Sequence, residues 1–253
     1  MHPILFKIGD FALYSYGAML FLAFSIGMLW TLKEAPLEEF NLEHIYEAFI
    51  LTIVLAVLGS RLTFVILNWE LYRGDSWWRI FAFREGGLIF YGGLLAALTG
   101  VYFYCQYRKV SFFSALDLTS PFIALGYAIT RIGCFLNGCC YGKITEVPWG
   151  VVFPTVDGFK RHPTQLYASA SALLIFILLR YLRKYKDFDG FVFLLFVIFY
   201  GIYRFTVEFF RTEIPLLGFM SQAQIISSAL IIIAGFAFFQ KKRKITRIKY
   251  NKI

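Results

Sequence analysis

Charge and histidine are scarce in this chain. Lysine, arginine, aspartate and glutamate make up only 16% of its 253 residues, and there are three histidines. So few charges cannot cover a fold whose residues are 59% hydrophobic, with a mean hydropathy of +0.65, and a water-soluble domain is excluded. Four cysteines are too few for a disulfide-built scaffold. Met1-His2-Pro3 lacks the basic region of a cleavable signal, and the first apolar run is long enough to stay in a bilayer. Short repeats, low-complexity tracts, glycine-rich cofactor loops and familiar metal-ligand spacings are also missing, so no cofactor or metal is assigned.

What is present in abundance is long apolar sequence. Seven runs stand out, at about 12–32, 45–67, 88–105, 117–136, 165–183, 190–210 and 218–240, each close to the length a helix needs to cross hydrocarbon. The fourth is interrupted by Pro121, Gly126 and Gly133. The reading is an all-α, polytopic integral membrane protein of about seven transmembrane helices. It forms one transmembrane domain over residues 1–253, with a basic tail at about 241–253.

The net charge of +9 does not point to nucleic acid, because the basic residues alternate between loops. Lys33, Arg108, Lys109, Arg180, Arg183, Lys184, Lys186 and seven tail residues up to Lys252 fall on one side, fourteen in all. Only eight fall on the other, namely Lys7, Arg73, Arg79, Arg84, Lys143, Lys160, Arg161 and Arg211. The positive-inside rule then puts the N-terminus outside and the C-terminus in the cytoplasm. The tail is expected to anchor this topology and touch anionic lipid headgroups.

Arg61, Arg131 and Arg204 remain within the spans. An arginine in hydrocarbon costs from about 2.5 to more than 10 kcal/mol, so an anion, cavity water or a backbone carbonyl must receive it. Arg131 opens the segment Arg131-Ile-Gly-Cys134-Phe-Leu-Asn137-Gly-Cys139-Cys140-Tyr-Gly142-Lys143, the most unusual in the chain. On the sixth span Tyr200, Arg204 and Glu208 share a helix face at i, i+4 and i+8, with Arg211 one turn on. An internal Arg204–Glu208 ion pair is one reading of that stripe. Yet three intramembrane arginines face one deep carboxylate, and a bound anion such as a lipid phosphate, gripped by guanidinium donors, completes the balance.

Three further segments carry polar groups that suit a site. Gly86-Gly-Leu-Ile-Phe-Tyr91-Gly92-Gly93 opens the third span and offers either close helix packing or a phenol for proton transfer. Arg161-His162-Pro-Thr-Gln-Leu-Tyr167 looks like a helix start, with His162 a surface residue or a base, and Tyr14-Ser-Tyr16-Gly17 begins the first span. The thiols of Cys134, Cys139 and Cys140 are spaced C-x4-C-C, unlike paired zinc knuckles, and His162 lies 22 residues on. They are read as packing a tight turn, with a disulfide or a metal as the alternatives.

Taken in order, Tyr16-Gly17, Gly59-Ser-Arg61, Gly86 to Gly93, Arg131 to Gly142, Pro148 to Pro154, Arg161 to Tyr167 and Tyr200 to Arg211 resemble the prolipoprotein diacylglyceryl transferase family of bacterial inner membranes. The resemblance implies transfer of the diacylglyceryl group of phosphatidylglycerol to the lipobox cysteine of a precursor protein, with glycerol phosphate released. It implies that Arg131 and Arg204 face the phosphate and that Glu208 orients Arg204. Tyr91 then takes part in proton transfer, and Tyr16, Arg61, Asn137, Gly142, Tyr200 and His162 hold substrate. Well-known members carry histidine in place of Tyr91, Asn and Glu at Cys134 and Cys139, and Glu in place of Ala168. These departures keep two alternatives in view: a paralogous transferase with another acceptor, and a lipid-binding or transport protein without chemistry.

Overall fold

The computed structural model describes residues 1–9, 11–74, 77–82, 86–211 and 220–250; Arg84, Lys252 and the first residues of the seventh apolar run lie outside them. Seven long helices occupy the expected positions: α1 Ser15–Glu34, α2 Leu42–Leu67, α3 Phe90–Arg108, α4 Phe112–Asn137, α5 Thr164–Leu182, α6 Phe191–Val207 and α7 Gln222–Tyr250. Among the described residues, all but α3 are long and apolar enough to cross a membrane on length and composition alone. The chain is a polytopic α-helical membrane protein.

Two boundaries differ from expectation. The first span begins at Ser15 rather than residue 12, because Phe11–Tyr14 is a strand (β2) paired antiparallel with Ile4–Ile8 (β1). The four consecutive apolar residues of β2 run straight into the apolar helix, so the hydropathy pattern does not separate the two. At the other end the basic tail is helical as far as Tyr250; it contains no glycine or proline to stop α7, and lysine and arginine are good helix formers.

The chain resolves into two compact units, residues 32–115 and the remainder. In the smaller unit α3 packs along α2 through small residues. A Cβ on Gly93 would sit 2.6 Å from the Ala56 carbonyl oxygen, and one on Gly59 would sit 2.8 Å from that of Gly92. Side chains there would force the helices apart, so the glycines supply the close approach that α3's modest apolarity requires. Arg108 pairs with Glu47 near the far ends of the two helices.

In the larger unit α4 is the central helix, with half of its apolar stretch buried. Pro121 does not break it, and the neighbouring Ser120 hydroxyl bonds the Leu116 carbonyl at 2.5 Å. Gly133 lets α1 lie close, since a Cβ there would sit 2.9 Å from Met19 Cβ, while Gly126 is in ordinary contact with Ala23. Asp117, on the same helix, is buried and accepts the backbone N–H of Gly190 at 2.8 Å and of Phe193 at 2.9 Å, with Lys186 Nζ 3.4 Å away. Its carboxylate therefore caps α6, where the helix dipole favours negative charge. Ala124, Ile175, Leu179, Phe191 and Val192 form the core joining α4, α5 and α6. Two short antiparallel strands, Val151–Val152 (β3) and Lys160–Arg161 (β4), order the α4–α5 connection.

Candidate functional site

Four residues apart on α4, Tyr127 and Arg131 repeat the spacing of Tyr200 and Arg204 on α6. The two helices bring these pairs together. Arg131 lies over the Tyr127 ring, 4.7 Å from its centroid, a cation–π arrangement. The rings of Tyr127, Tyr200 and Tyr203 stand 5.6–6.2 Å apart, and the hydroxyls of Tyr127 and Tyr203 are 3.4 Å apart. Tyr200 is within electrostatic reach of both Arg131 and Arg204. Tyr127 and Tyr203 were not singled out from sequence, though the repeated Tyr-x3-Arg spacing marks both helices.

Arg204 pairs with Glu208, whose side chain is only 2% exposed, and Arg211 Nε lies 3.9 Å from the same carboxylate oxygen. After Val207 the backbone tightens to a 3-10 turn over Glu208–Phe210, which sets Arg211 one turn from Glu208. Glu208 is thus shared, whereas Arg131 has no carboxylate partner among the described residues. Its buried Nε has no hydrogen-bond partner there either. A cation held by aromatic faces, with a donor left over, is arranged to receive an anion.

The loop after α4 closes this region. Asn137 ends α4, exposed, and Gly142 is buried, its N–H donating to the His162 carbonyl at 2.9 Å. A Cβ on Gly142 would meet Thr164 Cγ2 at 2.8 Å and His162 Cβ at 2.9 Å. Lys143 N–H bonds the Phe210 carbonyl at 2.8 Å, joining the loop to the end of α6. Arg161 binds Asp157 and so holds its carboxyl below the usual range. Tyr16 backs onto Gly133, within electrostatic reach of Arg131. Tyr16, Arg131, Asn137, Gly142, Tyr200, Arg204 and Glu208 accordingly gather about one end of α4 and α6.

His162 faces a groove. Its Nδ1 lies 3.1 Å from the Tyr167 hydroxyl, which accepts a hydrogen bond from Trp149 Nε1 at 2.8 Å. These three groups rim a cavity of about 750 Å³ between α5 and α6 that runs down to Leu174, Phe199 and Ile202. A polar rim over an aliphatic trough suits one end of an amphiphile. A smaller cleft of about 550 Å³, beside Lys184, Lys186 and Lys242, lies at the opposite end of α6 and takes no part in this arrangement.

Arg61 and Tyr91 belong to the other unit. Arg61 is 3% exposed, and its guanidinium donates to the carbonyls of Ile80 at 2.8 Å, Arg79 at 2.8 Å and Gly86 at 2.6 Å. Backbone carbonyls receive this intramembrane cation, and Arg61 pins the α2–α3 connection. Tyr91 stands at the start of α3 with 60% of its surface exposed.

Comparison with known proteins places the chain in a family. The profile described as prolipoprotein diacylglyceryl transferase matches residues 3–240. A phosphatidylglycerol–prolipoprotein diacylglyceryl transferase of Finegoldia magna is 37% identical over 253 residues, covering 100% of this chain and 97% of the relative. The protein of that name in Clostridium tetani is 36% identical over 94% of this chain and 97% of its own length, and one from Clostridium botulinum is 34% identical over 96% and 99%. With the match running through both units and through the Arg131 and Arg204 segments alike, the chain belongs to the prolipoprotein diacylglyceryl transferase family.

Proposed function

We propose that this protein transfers the diacylglyceryl group of phosphatidylglycerol to the thiol of a lipobox cysteine in a secreted precursor, forming a thioether and releasing glycerol phosphate. The observation that carries this reading is Arg131, a guanidinium without a carboxylate partner among the described residues, stacked on Tyr127 beside the Arg204–Glu208 pair. Attack at the glyceryl carbon breaks its bond to a phosphate oxygen, and negative charge grows on that phosphate as the bond lengthens. Arg131 and Arg204 stabilise it. Fixed cations away from bulk water are most effective when, as here, they are already oriented before the charge develops.

Glu208 is a positioning residue in this scheme, aiming Arg204, while Tyr200 and Tyr16 donate hydrogen bonds to the headgroup. Asn137 and Gly142 shape the loop that receives the precursor. The groove rimmed by His162 takes an acyl chain of the lipid, its tyrosine and tryptophan end lying at headgroup level. Tyr91 moves the proton of the acceptor thiol, whose ordinary pKa near 8.5 leaves it mostly protonated at neutral pH. The protein works in the bacterial cytoplasmic membrane with its N-terminus outside and its basic α7 extension in the cytoplasm, an orientation that the charge pattern supports.

The test is reconstitution of the full chain in liposomes with labelled phosphatidylglycerol and a lipobox peptide. Mass spectrometry should find the peptide heavier by one diacylglyceryl group and glycerol phosphate released in equal amount. Lipid consumed without peptide modification would assign another acceptor. Neither product, in conditions where a family member gives both, would refute the transferase reading.

A further inference from the structure

Three thiols converge beside Arg131. Cys134 lies on the last turn of α4, and beyond Asn137 the chain doubles back through two left-handed residues, Gly138 at φ 75° and Cys140 at φ 63°. The Cys139 N–H donates to the Cys134 carbonyl at 3.2 Å. From the start of α5, Gln165 Nε2 holds the Cys139 carbonyl at 2.6 Å and Thr164 Oγ1 holds the Cys140 carbonyl at 2.7 Å. A left-handed cysteine costs roughly 1–3 kcal/mol, so these clamps are needed to keep the turn. The outcome is that the Sγ atoms of Cys134, Cys139 and Cys140 lie within 4.8 Å of one another.

That spacing is close to what a single thiophilic cation needs. Tetrahedral zinc with bonds of about 2.3 Å spaces its sulfurs about 3.8 Å apart, so contraction by about 1 Å suffices, within reach of side-chain rotation on a fixed backbone. Zinc with three thiolates carries a charge of about −1, and Arg131 and Arg211 lie within electrostatic reach of Cys140 to offset it. Three protein ligands leave one position open, as catalytic zinc sites do. Arg131 precedes Cys134 by three residues on α4, so the cation assigned to the departing phosphate stands about one helical turn from the first of the thiols that would hold the ion.

We propose that Cys134, Cys139 and Cys140 bind one zinc(II) ion whose fourth position takes the thiol of the acceptor cysteine, a proposal that rests on the diacylglyceryl-transfer reading. A thiol that coordinates zinc loses its proton. The sulfur then forms its bond to the glyceryl carbon as the carbon–oxygen bond to phosphate breaks. Both electrons of that bond leave with the phosphate oxygen, and the proton lost on coordination is relayed by Tyr91, in the role proposed above, to the released glycerol phosphate. No oxidant or reductant is involved.

The test uses the full chain, reduced, in detergent, loaded with zinc(II) or with cobalt(II) as an optical probe, and desalted. Elemental analysis should find one metal ion per chain, and cobalt should give a thiolate charge-transfer band in the near ultraviolet. Cys105→Ser should keep both signals, while Cys134→Ser, Cys139→Ser or Cys140→Ser should each weaken metal binding at least tenfold. A lipobox peptide should shift the cobalt band, and the same peptide with serine for cysteine should not. Reduced wild-type protein that binds no metal overturns the site, whether or not the variants fold. Metal binding that the cysteine peptide leaves unperturbed, or full transferase activity after complete metal removal, overturns the acceptor role. Metal and band are read without turnover, so their failure is separate from failure of the transferase assay.

Discussion

Deleting Arg204 should harm stability in a way that a second deletion repairs. Glu208 is 2% exposed and shares its Oε2 between Arg204 and Arg211. Removing one partner of a buried ion pair typically costs about 3–5 kcal/mol, because the other charge is left desolvated. Here Arg204 is 21% exposed and Arg211 stays 3.9 Å from the same oxygen, so the expected cost of Arg204→Ala is lower, about 2–3 kcal/mol. For a chain of this size that is roughly 4–12 °C in melting temperature. Glu208→Gln alone should also destabilise, by leaving Arg204 without its carboxylate. In the Arg204→Ala background the same change should raise stability, since it removes the charge that lost its partner, giving a coupling of about 1–3 kcal/mol. Thermal unfolding in detergent, followed by fluorescence of the five tryptophans, measures all four proteins. Additive effects, with the double variant no more stable than Arg204→Ala, would refute the pairing and with it the positioning role of Glu208.

Other substitutions separate roles. Gly142→Ala places a Cβ 2.8 Å from Thr164 Cγ2 and 2.9 Å from His162 Cβ, so it should cost about 1–3 kcal/mol and most of the activity; an unchanged melting temperature would show that the loop yields. Arg61→Ala strips donors from the carbonyls of Arg79, Ile80 and Gly86 and should reduce folded yield while leaving KM for phosphatidylglycerol within about twofold in the protein that survives. A selective rise in KM would return Arg61 to the substrate. Tyr91→Phe should slow transfer roughly tenfold or more, read as thioether formed per unit time, and full activity would remove the phenol from the mechanism.

The spans were legible because hydrocarbon demands long apolar helices, and Gly126 and Gly133 of the fourth run lie within a continuous helix, Gly133 as a close-packing point. The β1–β2 hairpin was not, since four apolar residues before a helix read as more helix. Arg61 shows why a charge count in spans misleads: its acceptors are carbonyls 18–25 residues away, on a loop whose return path is set by tertiary structure. Asp117 is similar, because its role as cap depends on where α6 begins, 73 residues later. The Arg204–Glu208 pair was readable from helical spacing alone. Tyr127 was not singled out, although with Arg131 it has the spacing that Tyr200 and Arg204 repeat. For the three cysteines, linear spacing argued against a metal, and the left-handed turn at Gly138 and Cys140 is what brings their sulfurs together.

The claim that Arg131 receives the phosphate stands or falls on the kinetics of Arg131→Ala in liposomes. If the guanidinium stabilises charge that develops only as the carbon–oxygen bond breaks, kcat should drop about 100- to 1,000-fold, or about 2.7–4 kcal/mol, with KM changed only a few-fold. Turnover within about threefold of wild type would contradict the account.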